Sequence, residues 1–421
     1  MGKIKNVPLV LYGAGVTAKF VYNKLVSEGI TPACFVDSNK HKQHKEPFRG
    51  CNLKTYSIDE VKKLFPVFQI YVTTFSSVKY EIFDFLVNKC SINKDDIINY
   101  SPYVTRISCK FLESHFKVSH YNVKYCTHSR DKTNVPVIKR NELDRDSDTI
   151  EKFLRLREET IASLQAGTAD YCNGCSYLKE MCCSEKYYIS DLVSGTCRDS
   201  LCNFKCIYCY RKRKSQTSVK PIVSSYFHDI SMELEDRGLI SPEFTTITLT
   251  DGELTIRPDK SELFTLISRY NSQIFTNAST YSQEIEDLLN NSMTRILVSV
   301  DCGTRTTFNK IKGVDAYEAV RHNLVKYGKT NGSIVLKYIF LPGINDNAED
   351  LSGFINLCKE ANISHVRLSL DYYHNYNLNE NGLFNNIMAF AARLREESFF
   401  VDATGMSAFM KPEYDAIMGV M

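Results

Sequence analysis

Near the middle of the chain stands Cys202-Asn-Phe-Lys-Cys206-Ile-Tyr-Cys209-Tyr210, with three cysteines at the spacing C-x3-C-x2-C. Such a loop can present three thiolates to one side of a small metal cluster. Protein [4Fe–4S] cubes usually have four cysteine ligands, so three leave one iron open to a substrate or cofactor. A zinc knuckle is the alternative, but zinc prefers four closed tetrahedral ligands, usually as two CxxC-like pairs.

This loop resembles the signature of the radical S-adenosylmethionine (radical SAM) enzymes, including the aromatic Tyr208 before the third cysteine. The resemblance implies that Cys202, Cys206 and Cys209 hold a catalytic [4Fe–4S] cluster, that SAM chelates its open iron, and that Tyr208 packs by the SAM adenine. It also implies reductive cleavage of SAM to a 5′-deoxyadenosyl radical, which takes hydrogen from a substrate. An electron donor such as flavodoxin or ferredoxin is the implied partner.

From about residue 187 onward, apolar strand-like segments alternate with helical ones. The predicted strands are Tyr187–Val193, Thr245–Thr250, Ser272–Asn277, Arg295–Asp301, Ser333–Leu341 and His365–Asp371. The predicted helices include Ser224–Asp236, Tyr281–Asn290, Tyr317–Tyr327 and Glu349–Ala361. Serial βα units predict an α/β fold with a parallel sheet. The count is similar to the partial (β/α)6 TIM-like barrel of the radical SAM family, whose chemistry lies at the carboxyl ends of the strands.

Polar motifs at successive strand ends resemble those that bind SAM in this family. Asp251-Gly-Glu resembles the family's Gly-Gly-Glu, with Asp251 in place of the first glycine. Lys337 lies on the fifth strand, where a basic residue can meet the SAM carboxylate; an outward surface lysine is the equal alternative. The SAM-binding residues that the resemblance implies are Gly252, Glu253, Asn277, Ser299 and Lys337.

The first hundred or so residues read as strand, glycine turn, helix and strand. Gly13-Ala-Gly15-Val-Thr-Ala18 matches G-x-G-x-x-A, and Asp37 ends the next strand about 20 residues later, as in the dinucleotide fingerprint. A helix N-terminus at such a turn offers N–H groups to a phosphate. We therefore expect a small Rossmann-like domain with Gly13, Gly15 and Asp37 at a nucleotide-type ligand. Alternatively, the glycines only make a tight turn in a domain that docks against its neighbour.

This segment resembles the N-terminal nucleotide-sugar-binding domain of bacterial sugar acyltransferases, through the glycine loop, Val36-Asp37 and Tyr56-Ser57-Ile58-Asp59-Glu60. The resemblance implies a small substrate, in particular a nucleotide-linked sugar of a glycan pathway. One alternative is radical modification of a peptide or protein side chain. The seven-cysteine C-terminal extension usual in those relatives is absent, since no cysteine follows Cys358. The other alternative is a non-catalytic zinc-binding interaction protein.

A second cysteine group precedes the predicted barrel. It consists of Cys172, Cys175, Cys182 and Cys183, with Cys197 as the natural fourth ligand if one of the adjacent pair is not used. In a protein with one cluster already, this group predicts an auxiliary iron–sulfur cluster. A structural zinc site and buried free thiols are the alternatives.

The length of 421 residues predicts more than one domain. We divide the chain into a Rossmann-like domain (1–105), a connector (106–147), a helix with the auxiliary cysteines (148–186) and the radical SAM barrel (187–421). The net charge of +3 gives no argument for a nucleic-acid or membrane partner. The absence of a signal-peptide pattern, together with 15 cysteines, favours metal or redox chemistry in the cytoplasm.

Overall fold

The computed structural model describes most of the chain. The described residues are 4–14, 16–48, 51–74, 78–119, 122–126, 135–139, 145–175, 177–195, 201–209, 226–250, 252–291, 294–371 and 383–403. Three residues singled out above, Gly15, Cys197 and Asp251, lie outside these ranges. The chain divides into two compact units: unit 1 comprises residues 1–116, 154–190 and 235–245, and unit 2 comprises residues 117–153, 191–234 and 246–421.

Unit 1 contains a four-stranded parallel sheet. Its strands are β1 (Leu9–Tyr12), β2 (Cys34–Val36), β3 (Thr55–Tyr56) and β4 (Gln69–Val72), and its helices are α1 (Val16–Ser27), α2 (Ile58–Leu64) and α3 (Val78–Asp84). The strand order β3-β2-β1-β4 is that of the first four strands of a dinucleotide-binding sheet. Alternate residues of β1 belong to two different apolar clusters, so both faces of the sheet are covered.

The remainder of unit 1 is built on an antiparallel pair. Strand β5 (Tyr103–Ser108) pairs with β9 (Lys179–Ser184), from Tyr103 opposite Ser184 to Ser108 opposite Lys179. Helix α4 (Lys110–Ser114) follows β5, and residues 154–165 of the long helix α5 (Asp146–Gln165) also belong to unit 1.

Unit 2 is organised by a ten-stranded sheet. Seven parallel strands lie side by side in chain order: β10 (Asp191–Ser194), β11 (Thr246–Leu249), β12 (Asn271–Thr276), β13 (Thr294–Ser299), β14 (Ser333–Phe340), β15 (His365–Leu370) and β16 (Phe400–Asp402). Beyond β10 lie three short strands: β6 (His115–Val118), β7 (Asn122–Lys124) and β8 (Ile138–Lys139). The helices are α6 (Tyr226–Asp236), α7 (Lys260–Ile267), α8 (Gln283–Asn291), α9 (Arg305–Lys312), α10 (Tyr317–Tyr327), α11 (Ala348–Glu360) and α12 (Leu383–Glu396).

The predicted alternation of strands and helices is confirmed, and the fold is α/β with parallel sheets. The first strand of the parallel series begins at Asp191 rather than at Tyr187. Among the described residues no strand pair joins β16 to β8, so closure of the sheet into a barrel stays a prediction. In the described part of the chain, no helix has both the length and the apolar character needed to cross a membrane.

Candidate functional site

The cysteine loop is attached to the end of α9. Lys205 N–H donates to the Lys312 carbonyl and Ile207 N–H to the Ile311 carbonyl, both at 2.9 Å. Carbonyls in the last turn of a helix lack intrahelical donors, and here the loop supplies them. Gly313 ends the helix in the left-handed region, at φ 68°. A Cβ at Gly313 would lie 3.0 Å from the Lys205 Cβ, so the two segments approach closely.

A buried charged network lies behind this contact. The Lys312 ammonium is paired with the Asp301 carboxylate, and also donates to the Ser299 carbonyl at 2.6 Å and the Tyr208 hydroxyl oxygen at 2.8 Å. The Tyr208 hydroxyl donates to Asp301 at 2.6 Å, and Ile339 N–H donates to the other carboxylate oxygen at 2.8 Å. Buried charges need such partners. The network therefore fixes the tyrosine of the cysteine motif to the ends of β13 and α9.

The pKa shifts in this network keep its charges in place at neutral pH. Burial works to lower the pKa of Lys312, but the adjacent Asp301 carboxylate raises it above the ordinary lysine value. Burial, and then the negative charge of Asp301, raise the pKa of Tyr208 well above its usual range. Lys312 is accordingly a cation and Tyr208 a neutral hydrogen-bond donor.

Glu253 joins the loop after β11 to the end of β12. Its side chain is fully buried and accepts hydrogen bonds from Asn277 N–H at 2.6 Å, Thr276 Oγ1 at 2.9 Å and Thr255 Oγ1 at 2.8 Å. Its own N–H donates to the Leu201 carbonyl at 2.7 Å, next to the first cysteine. The carboxylate that the motif assigns to SAM is thus already surrounded by protein donors.

Asn277 contacts the cysteine loop directly. Its Nδ2 donates to Asn203 Oδ1 at 2.7 Å and lies 4.0 Å from the Cys202 sulfur. The Asn203 amide in turn donates to Ser279 Oγ at 2.8 Å. The end of β12 and the cysteine loop are therefore linked by several side-chain hydrogen bonds.

Ser299 and Lys337 are brought together by strand register. They are partners across β13 and β14, and both are partly exposed. Gly252, in the loop after β11, has φ 63°, which glycine adopts without strain. The structure thus clusters Gly252, Glu253 and Asn277 near the cysteine loop and pairs Ser299 with Lys337.

The three thiols of the loop are each partly exposed. Cys209 N–H donates to the Cys206 carbonyl at 3.1 Å, which closes a turn. Burial raises the pKa of Cys206, and the positive charge of Lys312 opposes this shift. Asp301 and the other two cysteines of the loop, Cys202 and Cys209, raise the pKa of Cys206 further.

No three His, Cys, Asp or Glu side chains of the described residues are grouped for one metal ion. A [4Fe–4S] cube makes a different demand, because each cysteine ligates a different iron. The three cysteines of the loop match the number of protein ligands of a [4Fe–4S] cluster with one open iron, whereas tetrahedral zinc takes four ligands.

The second cysteine group is not assembled in the described residues. Cys172 and Cys175 form a turn, in which Cys175 N–H donates to the Cys172 carbonyl at 3.1 Å. Cys182 and Cys183 are successive residues of β9, one partly exposed and the other buried. Successive strand residues face opposite sides, so the pair would not both turn to one cluster. The auxiliary cluster stays a prediction.

The glycine turn of unit 1 is closed by its own acid. Asp37 accepts hydrogen bonds from Ala14 N–H at 2.9 Å, Asn39 N–H at 2.9 Å and Lys42 Nζ at 3.0 Å. Gly13 has φ 106°, and a Cβ there would lie 2.6 Å from Thr73 Oγ1. Gly13 and Asp37 are adjacent in space, as expected, but the carboxylate holds the turn. A ligand at this turn stays a prediction.

The sequence pattern does not identify Lys312 as a residue of the candidate site. A lysine in the last turn of an amphipathic helix is the ordinary basic residue of a helix C-terminus. The available signal was the pair of motifs Ser299-Val-Asp301 and Ile311-Lys-Gly313, which lie on one βα unit. Nothing in the spacing indicates that the lysine turns inward to the aspartate.

Comparisons with known proteins agree with the cysteine motif. Residues 200–358 match the model of the Radical SAM superfamily. A GTP 3′,8-cyclase of Campylobacter lari is 28% identical over 181 residues, which is 42% of this chain and 53% of that protein. A probable GTP 3′,8-cyclase of Pyrococcus abyssi is 27% identical over 150 residues, 35% of this chain and 46% of that protein. The chain thus spans about half the length of these relatives.

Two solved structures are also similar. Streptococcus suis SuiB bound to S-adenosylmethionine has a TM-score of 0.40 at 12% identity, over 73% of this chain and 74% of that one. Native anSMEcpe with bound AdoMet has a TM-score of 0.37 at 16% identity, over 51% of this chain and 63% of that one. The family match over residues 200–358 and the curated relatives indicate an enzyme, and the matched family uses a [4Fe–4S] cluster and SAM.

Proposed function

We propose that Cys202, Cys206 and Cys209 hold the catalytic cluster, and that the enzyme uses SAM to abstract hydrogen from a small substrate. The observation that carries this proposal is the attachment of the cysteine loop to the carboxyl ends of parallel strands, through Asn277 after β12 and Asp301 after β13. Ligands of parallel α/β folds bind at that edge. When bound, the cluster supplies the electron for reductive cleavage of SAM.

The residues around the loop take different parts. The Glu253 carboxylate oxygens accept hydrogen bonds from protein groups, and Glu253 thereby positions Asn277. The Glu253 N–H positions Leu201, the residue before Cys202. Lys312 and Asp301 hold Tyr208 in one orientation. We propose that the Gly252 backbone, Ser299 and Lys337 contact SAM directly. Ser299 and Lys337 are partly exposed partners on adjacent strands.

For the substrate class, we propose a nucleotide-type small molecule. The curated relatives carry the name GTP 3′,8-cyclase, which favours a nucleotide over a peptide. These relatives give no support to the sugar of a glycan pathway. We also propose a cytoplasmic location and flavodoxin or ferredoxin as the electron donor.

The test begins with anaerobic reconstitution by iron and sulfide. We expect a brown protein that, with dithionite and SAM, releases 5′-deoxyadenosine and methionine, measured by mass spectrometry. Cys206→Ala should abolish both colour and cleavage. Cys126→Ala, at a partly exposed cysteine outside both groups, should preserve them. A colourless zinc protein that does not cleave SAM would contradict the proposal.

Two further measurements refine it. SAM turnover should rise with GTP and not with short peptides. A rise with UDP-N-acetylglucosamine alone would instead favour a nucleotide-linked sugar as the substrate. Iron counted in the Cys202→Ala/Cys206→Ala/Cys209→Ala variant tests the auxiliary cluster. Iron that remains there, and disappears on adding Cys172→Ala and Cys175→Ala, would establish it.

A further inference from the structure

Unit 1 contains a cavity of about 330 Å³ that lies wholly within this unit. It is lined by Tyr71 at the β4 edge, Lys79 and Tyr80 of α3, and Cys183 and Ser184 of β9. Neither the radical SAM cysteines nor Gly13 and Asp37 belong to its lining. Its volume is within the range of small-molecule sites. It is therefore a separate candidate site.

The walls of the cavity are aromatic. Tyr71, Tyr80, Tyr188 and Phe244 all contribute, and the Tyr188 and Phe244 rings meet edge to face with centroids 5.1 Å apart. The Tyr80 ring packs edge to face against the Phe83 ring, with centroids 5.8 Å apart, so its position is fixed by packing. Fixed rings with polar edges suit a flat ring that stacks or packs edge-on.

Within the described residues, the cavity also contains a cation without an anion of its own. The Lys79 ammonium lies against the Phe83 ring, 5.5 Å from its centroid. The negative charge that acts on Lys79 is that of Glu243, which is already paired with Lys24. Burial lowers the pKa of Lys79 to about 8, with Glu243 opposing that shift. A partly desolvated ammonium of this kind gains from an incoming anion.

The other carboxylate in the lining is also neutralised. Glu113 is buried between Arg106 and Arg157, with N–O distances of 2.6 and 2.7 Å. Neither arginine belongs to the lining, but two guanidinium groups pair with this one carboxylate, so the charge behind this wall is net positive. The lining itself has one cation, Lys79, and two carboxylates, but together with their ion-pair partners outside the lining these groups comprise four cations and two carboxylates, which favours a negatively charged ligand.

We propose that this cavity binds a small anion with a planar ring, of nucleoside monophosphate size, whose anionic group pairs with Lys79. The ring would lie among Tyr71, Tyr188 and Phe244. The site goes beyond the proposed function, because it uses neither the cluster nor SAM.

The test is calorimetric titration of the full-length protein with uridine 5′-monophosphate, in parallel with uridine and with inorganic phosphate. We expect the nucleotide to bind at least tenfold more tightly than either part alone. Lys79→Met should weaken nucleotide binding at least tenfold, and Lys79→Arg should restore most of it. Lys89→Met, at an exposed lysine that follows the same helix, is the matched control and should bind normally.

A second measurement does not depend on the fold of a variant. Acetylation of Lys79 in the wild-type protein, read by mass spectrometry, should fall when the nucleotide is present. Absence of nucleotide binding, equal binding by Lys79→Met and Lys89→Met, or unchanged acetylation would each overturn the proposal. SAM cleavage is measured separately. Absence of nucleotide binding in this cavity would therefore not contradict the radical SAM proposal, and absence of SAM cleavage would not contradict nucleotide binding.

Discussion

Lys312 and Asp301 form an ion pair in which neither side chain is more than 1% exposed. The pair lies under the cysteine loop and is joined to it by the Tyr208 hydroxyl. Replacing one partner of a buried pair leaves an uncompensated charge, which is more harmful than losing both partners together. The order of the motif loop therefore depends on a charge pair contributed by the ends of β13 and α9.

Lys312→Met should lower the free energy of unfolding by about 3–5 kcal/mol, because Asp301 is then buried without its cation. Urea denaturation measures this loss. Lys310→Met, at an exposed lysine of the same helix, should change stability little. Asp301→Asn/Lys312→Met should be less destabilised than Lys312→Met alone. An equal or larger loss in the double variant would contradict the pairing.

Gly313→Ala should destabilise the protein and reduce iron loading for two reasons. The added Cβ would crowd Lys205, and alanine would have to adopt the left-handed backbone conformation. Gly343→Ala is a matched control, because Gly343 has φ 72° and no atom within 4 Å of an added Cβ. Gly343→Ala should lower the free energy of unfolding only by the cost of a left-handed backbone for alanine, about 1–2 kcal/mol. Thermal unfolding and iron content distinguish the two. Similar losses in both variants would show that the contact with Lys205 is unimportant.

Glu253→Gln should lower stability by about 1–3 kcal/mol even without SAM, because the amide group would face the donors that the carboxylate now satisfies. Glu262→Gln, at an exposed glutamate of α7, is the control. SAM binding should weaken only through the displaced cysteine loop and Asn277. If Glu253→Gln unfolds normally but no longer binds SAM, Glu253 contacts SAM directly.

The Asp37 carboxylate should stabilise unit 1 in a pH-dependent way. Burial works to raise its pKa, but the amides of Asn39 and Ala14 and the Lys42 ammonium hold the pKa below its ordinary value. A lowered folded-state pKa gives stabilisation that is present above the unfolded value, about 3.9, and is lost as pH falls through the folded value.

Asp37→Asn should therefore lower stability near neutral pH and flatten its decline below about pH 4. Chemical denaturation across this pH range is the measurement. Asp95→Asn, at an exposed aspartate of unit 1, should keep the wild-type decline. An unchanged acid profile in Asp37→Asn would show that the carboxylate does not hold the turn.

The regular part of the fold could be predicted because its elements are long and periodic. Helix α10 has the predicted bounds, and the strands from β11 to β15 lie within two residues of the predicted ones. Strands β8 and β16 have two and three residues. Segments so short carry no readable alternation, and their pairing depends on partners elsewhere in the sheet.

The candidate site could be predicted only in part. The thiol spacing locates the loop, and the motif order locates the strand ends. Two features depend on tertiary contacts between residues distant in sequence. These are the pairing of Lys312 with Asp301 and the hydrogen bonds that Thr276 and Asn277 donate to Glu253. In the same way, the register of two neighbouring strands places Ser299 beside Lys337.

The amides of Lys205 and Ile207 donate to carbonyls of a helix rather than to a strand. Exchange of these two hydrogens with deuterated solvent therefore requires the loop to part from the final turn of α9. Their protection factors give a direct gauge of how often the loop detaches before any metal is loaded. A protein whose loop is held in this way would accept its iron and sulfide on a surface that is already largely ordered.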